Sequence, residues 1–576
     1  MTPRRSAALV LTAALTLVTA ASAEAASRAK VEFVHPVSGK TPFPRGCGVP
    51  GSDTPSSEAE PHLAVDPQDA SKLVATWQQD RFPIDGGALS NLAAWSSDGG
   101  RSWHGTRLQG LSRCTAGSDE RSSDPWLSIG PDERVYLSSL TFSETAASLV
   151  GAAGPTGLSA AYSGNRGHSF SRQATIVDDN IYDDREAVTA DPRHRGRAYV
   201  AWVRRLGALG ESGAEYFSRT TDGGHSWSAP TLIQTVDPGT LPDPTLIDVL
   251  PDGTLLNLYL VANGSPIIKQ SIPSTPLIPW IVMSTRSSDG GRTWSAPVRI
   301  ASIDNPVAPQ DPDSGATVRA FPVISVAHAR DGSAYVVWNE ISSYASARVW
   351  LARSADGGRN WGAPQTVAAV KSQAFLPGVA VARGGTVGVS FDDFRHDRRG
   401  DKKLTTDVWL RYSRDRGSTW RETHLAGPFD MLTAPPTSST EVAGRFVGDY
   451  QGLVALPRGF GALFAQGKPE AKSGPSDIFY ARVRIGKAPK LRVRVRPRRV
   501  RPGRTVRFRF RVTAVVDGLV RRVSGVRIRF AGHRRRTNRR GRASIAVRFR
   551  RAGVRRVRVA KKDFRGGVAR VRVLRP

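Results

Sequence analysis

Cysteine is nearly absent: 576 residues contain two, Cys47 and Cys114. That excludes a disulfide-framework fold and a four-cysteine zinc site. In an oxidising compartment the two are expected to pair, and two reduced buried thiols are the alternative. The ten histidines are scattered with no His-x-x-x-His pair, and no Gly-x-Ser-x-Gly stands between a strand and a helix. Zincin, triad-hydrolase and phosphate-loop chemistry therefore lack their motifs, and no cofactor or metal is expected. Long apolar runs are missing too. The longest, Ala7–Ala20, follows Arg4 and Arg5 and precedes the small residues Ala21-Ser22-Ala23 and Ala23-Glu24-Ala25. This is the pattern of a secretory signal over residues 1–25, too short for a membrane span. An exported protein, secreted or held at the cell surface, is expected.

Acidic residues are missing from one region only. Residues 487–576 hold 34 Lys plus Arg, 30 of them Arg, against Asp517 and Asp563. The whole +32 of the chain resides there, and residues 1–486 balance at 48 basic and 48 acidic side chains. The basic residues alternate with apolar ones, as in Leu491-Arg492-Val493-Arg494-Val495 and Val506-Arg507-Phe508-Arg509-Phe510. Period two is the pattern of half-buried strands, not of a disordered arm. Turn signals such as Pro502-Gly503, Asp517-Gly518 and Arg540-Gly541 divide the region into about seven strands, a small sandwich.

What is abundant is a repeat. Ser287-Ser288-Asp289-Gly290-Gly291-Arg292-Thr293-Trp294 is echoed at Ser96–Trp103, Ser163–Phe170, Thr220–Trp227, Ser354–Trp361 and Ser413–Trp420. A fixed period of this size signals a repeat architecture. Each copy reads as a turn: the Asp or Asn accepts turn amides, Gly supplies positive φ, and the closing aromatic packs nearby. A second phrase precedes each copy, as in Glu60-Pro61-His62-Leu63-Ala64-Val65 leading into Leu73-Val74-Ala75-Thr76-Trp77. With one strand before the turn and one after, each unit has four short strands.

The octapeptide resembles the Asp-box (BNR) repeat of sialidase-like β-propellers. That resemblance implies an all-β propeller over residues 28–486, with the boxes structural and away from the catalytic face. Seven strand-pair phrases accompany six boxes, and Lys30–Val34 is left over to supply the seventh unit's fourth strand. Seven blades are therefore preferred, with six, the number usual in sialidases, as the alternative. The basic region, residues 487–576, resembles bacterial Ig-like modules.

Polar residues near the starts of the inner strands are the site candidates: Glu60, Asp124, Asp184, Arg185, Glu186 and Asp243 for substrate binding. Second-strand ends add Gln79, Asp80, Arg81, Asn339, Glu340, Asp392, Asp393 and Arg395. Carboxylates and arginines converging on one mouth suit sugar binding or acid/base chemistry. The sialidase resemblance implies three arginines for a substrate carboxylate, a Tyr nucleophile with a Glu, and an Asp acid/base. Arg319-Ala320-Phe321-Pro322 is similar to that family's Arg-Ile-Pro, and Asp393-Phe394-Arg395 to its Asp-x-Arg. Arg445, Asp449 and Tyr450 complete the catalytic candidates. No true Arg-Ile-Pro opens the first unit, and Asp80-Arg81-Phe82-Pro83 follows a second strand rather than starting a first. An extracellular glycan is the expected partner of a monomeric propeller that hydrolyses it or only binds it. For the basic region an anionic wall or envelope polymer is expected. Nucleic acid is disfavoured, because the strands lack interleaved aromatics for base stacking.

Overall fold

The boxes close their turns with their own side chains. Ser96 Oγ donates to Asp98 Oδ1 and accepts the Gly100 N–H, both at 2.9 Å. Asp98 also accepts the Ser102 N–H at 3.0 Å and the Ser102 hydroxyl at 2.8 Å. The same set recurs around Asp222, Asp289, Asp356 and Asp415, and around Asn165 with the amide in place of the carboxylate. The second glycine of a box has a further reason. At Gly291 (φ +87°) and Gly358 a Cβ would lie 2.5 Å from Phe217 and Leu256 of the preceding unit, and at Gly100 it would enter the Tyr480 ring. Each box thus locks its own turn and sits against its neighbour.

The structure is a computed structural model. It describes residues 29–575 except 45, 48–52, 85, 144–155, 180, 207–211, 238–239, 264–278, 439–442, 487–489, 517–518 and 562–563. The expected signal segment and the Asp517-Gly518 turn lie outside the described residues. Among the described residues there is no α-helix, and the chain is all-β.

Seven four-stranded antiparallel units follow one another. Their first strands are Glu58–Val65, Arg121–Ile129, Asp183–Ala190, Thr240–Val249, Ser325–His328, Ala374–Val381 and Gly452–Leu456. In the seventh unit the fourth place is taken by Ala29–Pro36, paired to Asp477–Ile485. One backbone pairing, Ala88 with Ser122, joins the first two units. The first strands touch in sequence, and the last, Gly452–Leu456, returns to Glu58–Val65, so the circuit is closed. Apolar layers fill the spaces between consecutive sheets: Leu256, Leu258 and Leu260 face Val336 and Trp338, and Val337, Val349 and Leu351 face Val389 and Phe391. Both faces of each sheet are therefore covered, which is why strands such as Leu73–Arg81 and Gly459–Gln466 are buried along their whole length. Cys47 and Cys114 are joined by a disulfide that closes a 67-residue separation.

Phe33–Val483 packs as one body, and Arg484–Pro576 belongs to a second. The second contains two sheets. Thr505–Val516 pairs with Arg492–Arg496, Leu519–Arg522 and Arg542–Arg548, and a five-stranded sheet is built around Gly553–Ala560 and Gly567–Val573. Among the described residues the strand count is nine rather than about seven, because Arg499–Val500 and His533–Arg536 add two short strands. Phe508, Phe510, Ile528, Phe530 and Phe549 form the core between the sheets. Arg492, Arg494 and Arg496 are exposed while Val493 and Val495 are buried.

Candidate functional site

Five inner strands carry the same irregularity. Glu60-Pro61, Asp124-Pro125, Arg185-Glu186, Asp243-Pro244 and Leu376-Pro377 each set two residues against one on the partner strand. Such a bulge bends the strand and re-aims a side chain. At Glu60, Asp124 and Arg185 the backbone is left-handed, with φ of 55°, 47° and 59°. Non-glycine residues take up that conformation at a cost, and such strain collects at functional sites. Here it turns three charged side chains from three units toward one place. The seventh unit reaches the same place through Val447-Gly448-Asp449. A Cβ on Gly448 would lie 2.7 Å from the Glu60 nitrogen, so only glycine lets this segment lie against the first strand. The Glu60 N–H donates to Val447 O at 3.2 Å.

Asp449 is the centre. Its Oδ2 accepts from Arg185 Nη1 at 2.8 Å and from Arg319 Nη1 at 3.2 Å. Arg185 Nε also meets Asp243 Oδ1 at 3.0 Å. Arg81 is 2% exposed and lies 3.8 Å from the Phe446 ring, with Arg319 at 4.8 Å from the same ring. Three arginines thus gather around one carboxylate of the protein's own. Burial pushes the Asp449 carboxyl up, but Arg185, Arg319 and Arg81 outweigh it and hold it below the usual carboxylate range.

The other acids behave oppositely. Burial, with Asp184 adding to it, raises the Asp124 carboxyl to about 6. Burial and the charges of Asp124 and Asp449 push Glu60 well up. Glu186 is pushed well up by burial and by Asp124. It is 2% exposed, and neither carboxylate oxygen has a hydrogen-bond partner. An orphaned buried acid calls for a functional explanation. Glu60 accepts from Gln78 Nε2, which also donates to Ser123 Oγ at 2.8 Å, and Ser123 Oγ donates to Asp124 Oδ1 at 2.7 Å. Tyr182 OH donates to Asp184 Oδ2 at 2.9 Å, on the edge of the group.

Tyr450 donates its hydroxyl to Pro125 O at 3.1 Å. Burial and the nearby Glu60, Asp124 and Glu186 push that hydroxyl well up. Its ring meets Trp126 edge-on at 4.9 Å, and Trp126 stacks on His62 at 3.8 Å. His62 accepts the Leu127 N–H at Nδ1, and burial holds the imidazole down at about 3, so it stays neutral.

The structure brings together Glu60, Asp124, Arg185, Glu186, Asp243, Arg319, Asp449 and Tyr450, with Asp184 beside them. It does not bring Arg395 and Asp393 there. Arg395 bonds Asp393 Oδ2 (2.7 Å) and Glu422 Oε1 (2.6 Å), lies over Trp409, and has its charge met inside the sixth unit. The Arg445 backbone carbonyl accepts the Arg319 N–H, but its guanidinium turns to Ala434 O at 3.2 Å. Arg81, a candidate on sequence as a second-strand end but not as the family's Arg-Ile-Pro arginine, is the third arginine. Asp80, at φ 62°, turns the chain just before it. His62 and Trp126 also belong to the site, and their sequence signal was the position directly after a bulge proline. Among the described residues no cluster of acids, histidines or cysteines suits a metal ion.

Comparison with protein families finds no match, and comparison with curated proteins finds none either. Among solved structures the chain is similar to a protein of unknown function from Dyadobacter fermentans, at 14% identity and a TM-score of 0.40, covering 79% of this chain and 100% of that one. It is similar to a Hadza microbial sialidase at 14% identity and a TM-score of 0.41, covering 69% and 74%. It is also similar to an α-L-arabinofuranosidase from Fusarium graminearum solved with an iminosugar inhibitor, at 11% identity and a TM-score of 0.38, covering 78% and 98%.

Proposed function

We propose that this is an exported glycan-directed protein whose mouth site cleaves a glycosidic bond. One observation carries the reading. Around Tyr450 burial pushes the Glu60, Asp124 and Glu186 carboxyls above the usual carboxylate range, beside Asp449, whose arginines hold it below that range. Neighbouring carboxyls held in different protonation states are what acid/base cleavage of a glycoside requires. In this reading Asp124 gives its proton to the leaving oxygen. Tyr450 attacks the anomeric carbon as Glu60 or Glu186, in its ionised carboxylate form, takes the hydroxyl proton, the recognised variant of the two-carboxylate scheme. The rings of Trp126 and Tyr450 offer apolar faces to the sugar.

The exo-sialidase form of this reading asks the substrate's carboxylate to share Arg185 and Arg319 with Asp449. We therefore expect neutral glycosides to be cleaved faster than sialosides. The test is the initial rate of the full chain on a fluorogenic sialoside and on a set of neutral fluorogenic glycosides. Turnover of none of them would leave the second reading, a propeller that binds glycans without cleaving them. That reading is favoured by Arg185, whose charge is already met by Asp243 and Asp449.

We assign residues 1–25 to a signal segment, 28–486 to a seven-bladed propeller and 487–576 to an Ig-like sandwich, in a monomer. The closed circuit of seven first strands and the two-sheet core of the basic region support the last two assignments. Rows of exposed arginine alternating with buried valine fit attachment to an anionic wall or envelope polymer. Retention on a carboxylated polysaccharide resin should fall steeply as salt rises from 0.05 M to about 0.5 M, since the Debye length shrinks below the spacing of the charges. Retention that salt does not change would remove this part of the proposal.

A further inference from the structure

The first strand of the third unit connects two places. It starts at the mouth with Arg185 and Glu186 and ends at Asp191, roughly 20 Å away at strand rise. There the third and fourth units, with Arg359 of the fifth, line a cavity of about 590 Å³ beside three box turns. Six arginines line it: Arg193, Arg197, Arg219, Arg286, Arg292 and Arg359. Against them stand three carboxylates, Asp191, Asp252 and Asp289, an excess of three positive charges.

The carboxylates are occupied by their own turns. Asp191 accepts the Arg193 N–H (2.8 Å), the Tyr199 hydroxyl (3.0 Å) and His194 Nδ1 (2.9 Å). Asp252 accepts the Thr254 N–H at 2.9 Å, and Asp289 is spent on its box. Among the described residues the six arginines make one ion pair, Arg197 with Asp191 at a loose 3.9 Å. The others are held by carbonyls or left open. Arg219 donates to Gly290 O (2.9 Å), Arg359 to Asp356 O (3.0 Å) and Arg193 to Asp252 O. Arg286 Nε is buried and has no partner. Carbonyl bonds fix a guanidinium without neutralising it, so the positive charge remains available.

We propose that this cavity binds a tetrahedral oxyanion carried on a sugar, a phosphate or sulfate ester of a saccharide. Guanidinium forks match such oxyanions. The volume lies within the range of small-molecule sites and exceeds the needs of a single ion. A nucleic acid fits less well, because Tyr199 in the lining is 2% exposed and offers no stacking face, which leaves His194 as the ring at its surface among the described residues.

The test is calorimetric titration of the full chain with glucose 6-phosphate, glucose 6-sulfate and inorganic phosphate at low salt. A saturable site for one or both esters is expected, and the preferred ester identifies the source. Arg286→Ala should weaken it by about 10- to 100-fold, the loss of a hydrogen bond to a charged group. Arg292→Glu, at an exposed rim position, should weaken it similarly without threatening the fold. Ester binding equal in the wild type and both variants would place the anion on the arginine-rich C-terminal region and overturn the proposal. So would inorganic phosphate binding as tightly as the esters, or no saturable binding of either ester.

Discussion

Asp124→Asn is expected to lower kcat on the best glycoside substrate by about 10²- to 10⁴-fold, the range for a positioned general acid. The reason is the placement of Asp124. Its bulge turns it into the mouth, and burial with Asp184 nearby raises the carboxyl to about 6. A donor with that value is mostly protonated at pH 5 and mostly ionised at pH 7. The wild-type rate should therefore fall as pH rises through about 6, and the variant should lose that limb. An aryl glycoside with a good leaving group needs less protonation, so the deficit should shrink on it. The same shift has a stability sign. A folded-state value raised above the unfolded one contributes stability fully present below about 3.9 and lost as pH rises through about 6. Asp124→Asn should accordingly cost little stability at pH 7. A pH–rate profile with no fall between pH 5 and 7, or a variant within threefold of wild type, would sink the assignment.

Much of this arrangement was legible in sequence, for local reasons. The boxes announce themselves because every bond that closes one is made within eight residues, as Ser96, Asp98 and Ser102 illustrate. Glu60, Asp124 and Asp243 stood out as acids near the starts of inner strands, and the structure puts each, with the proline after it, in a bulge that aims the side chain. What stayed hidden depends on distant partners. Asp393-Phe394-Arg395 looks like a substrate-binding pair until Glu422, 27 residues on, takes the guanidinium. Arg81 looks misplaced until Phe446 supplies the ring it lies over. The six arginines of the cavity come from strand ends and turns of three units, and each alone reads as an ordinary surface residue.

Asp449 links the stability of the site to its selectivity, and Asp449→Asn should change both. Removing the charge leaves Arg185 and Arg319 facing each other at the mouth, with buried Arg81 behind them. Breaking a buried pair by deleting one partner costs about 3–5 kcal/mol, because the remaining charge is stranded. The loss should appear as a lower denaturant midpoint for the propeller transition, followed separately from that of the C-terminal region, since a two-body chain does not unfold in one step. The sign with pH is fixed by the direction of the shift. A carboxyl held below its unfolded value contributes stability that is present above about 3.9 and lost as pH falls through the folded value. The gap between wild type and variant should thus be widest near neutral pH and close in acid. The same substitution removes the protein's own carboxylate from Arg185 and Arg319, while Arg185 keeps Asp243, so the sialoside rate relative to neutral glycosides should rise. A destabilised variant with unchanged selectivity would make Asp449 a purely structural counter-ion. Unchanged stability would mean that the three arginines do not depend on it, and the charge balance of the mouth would have to be sought in Asp243 and Glu60.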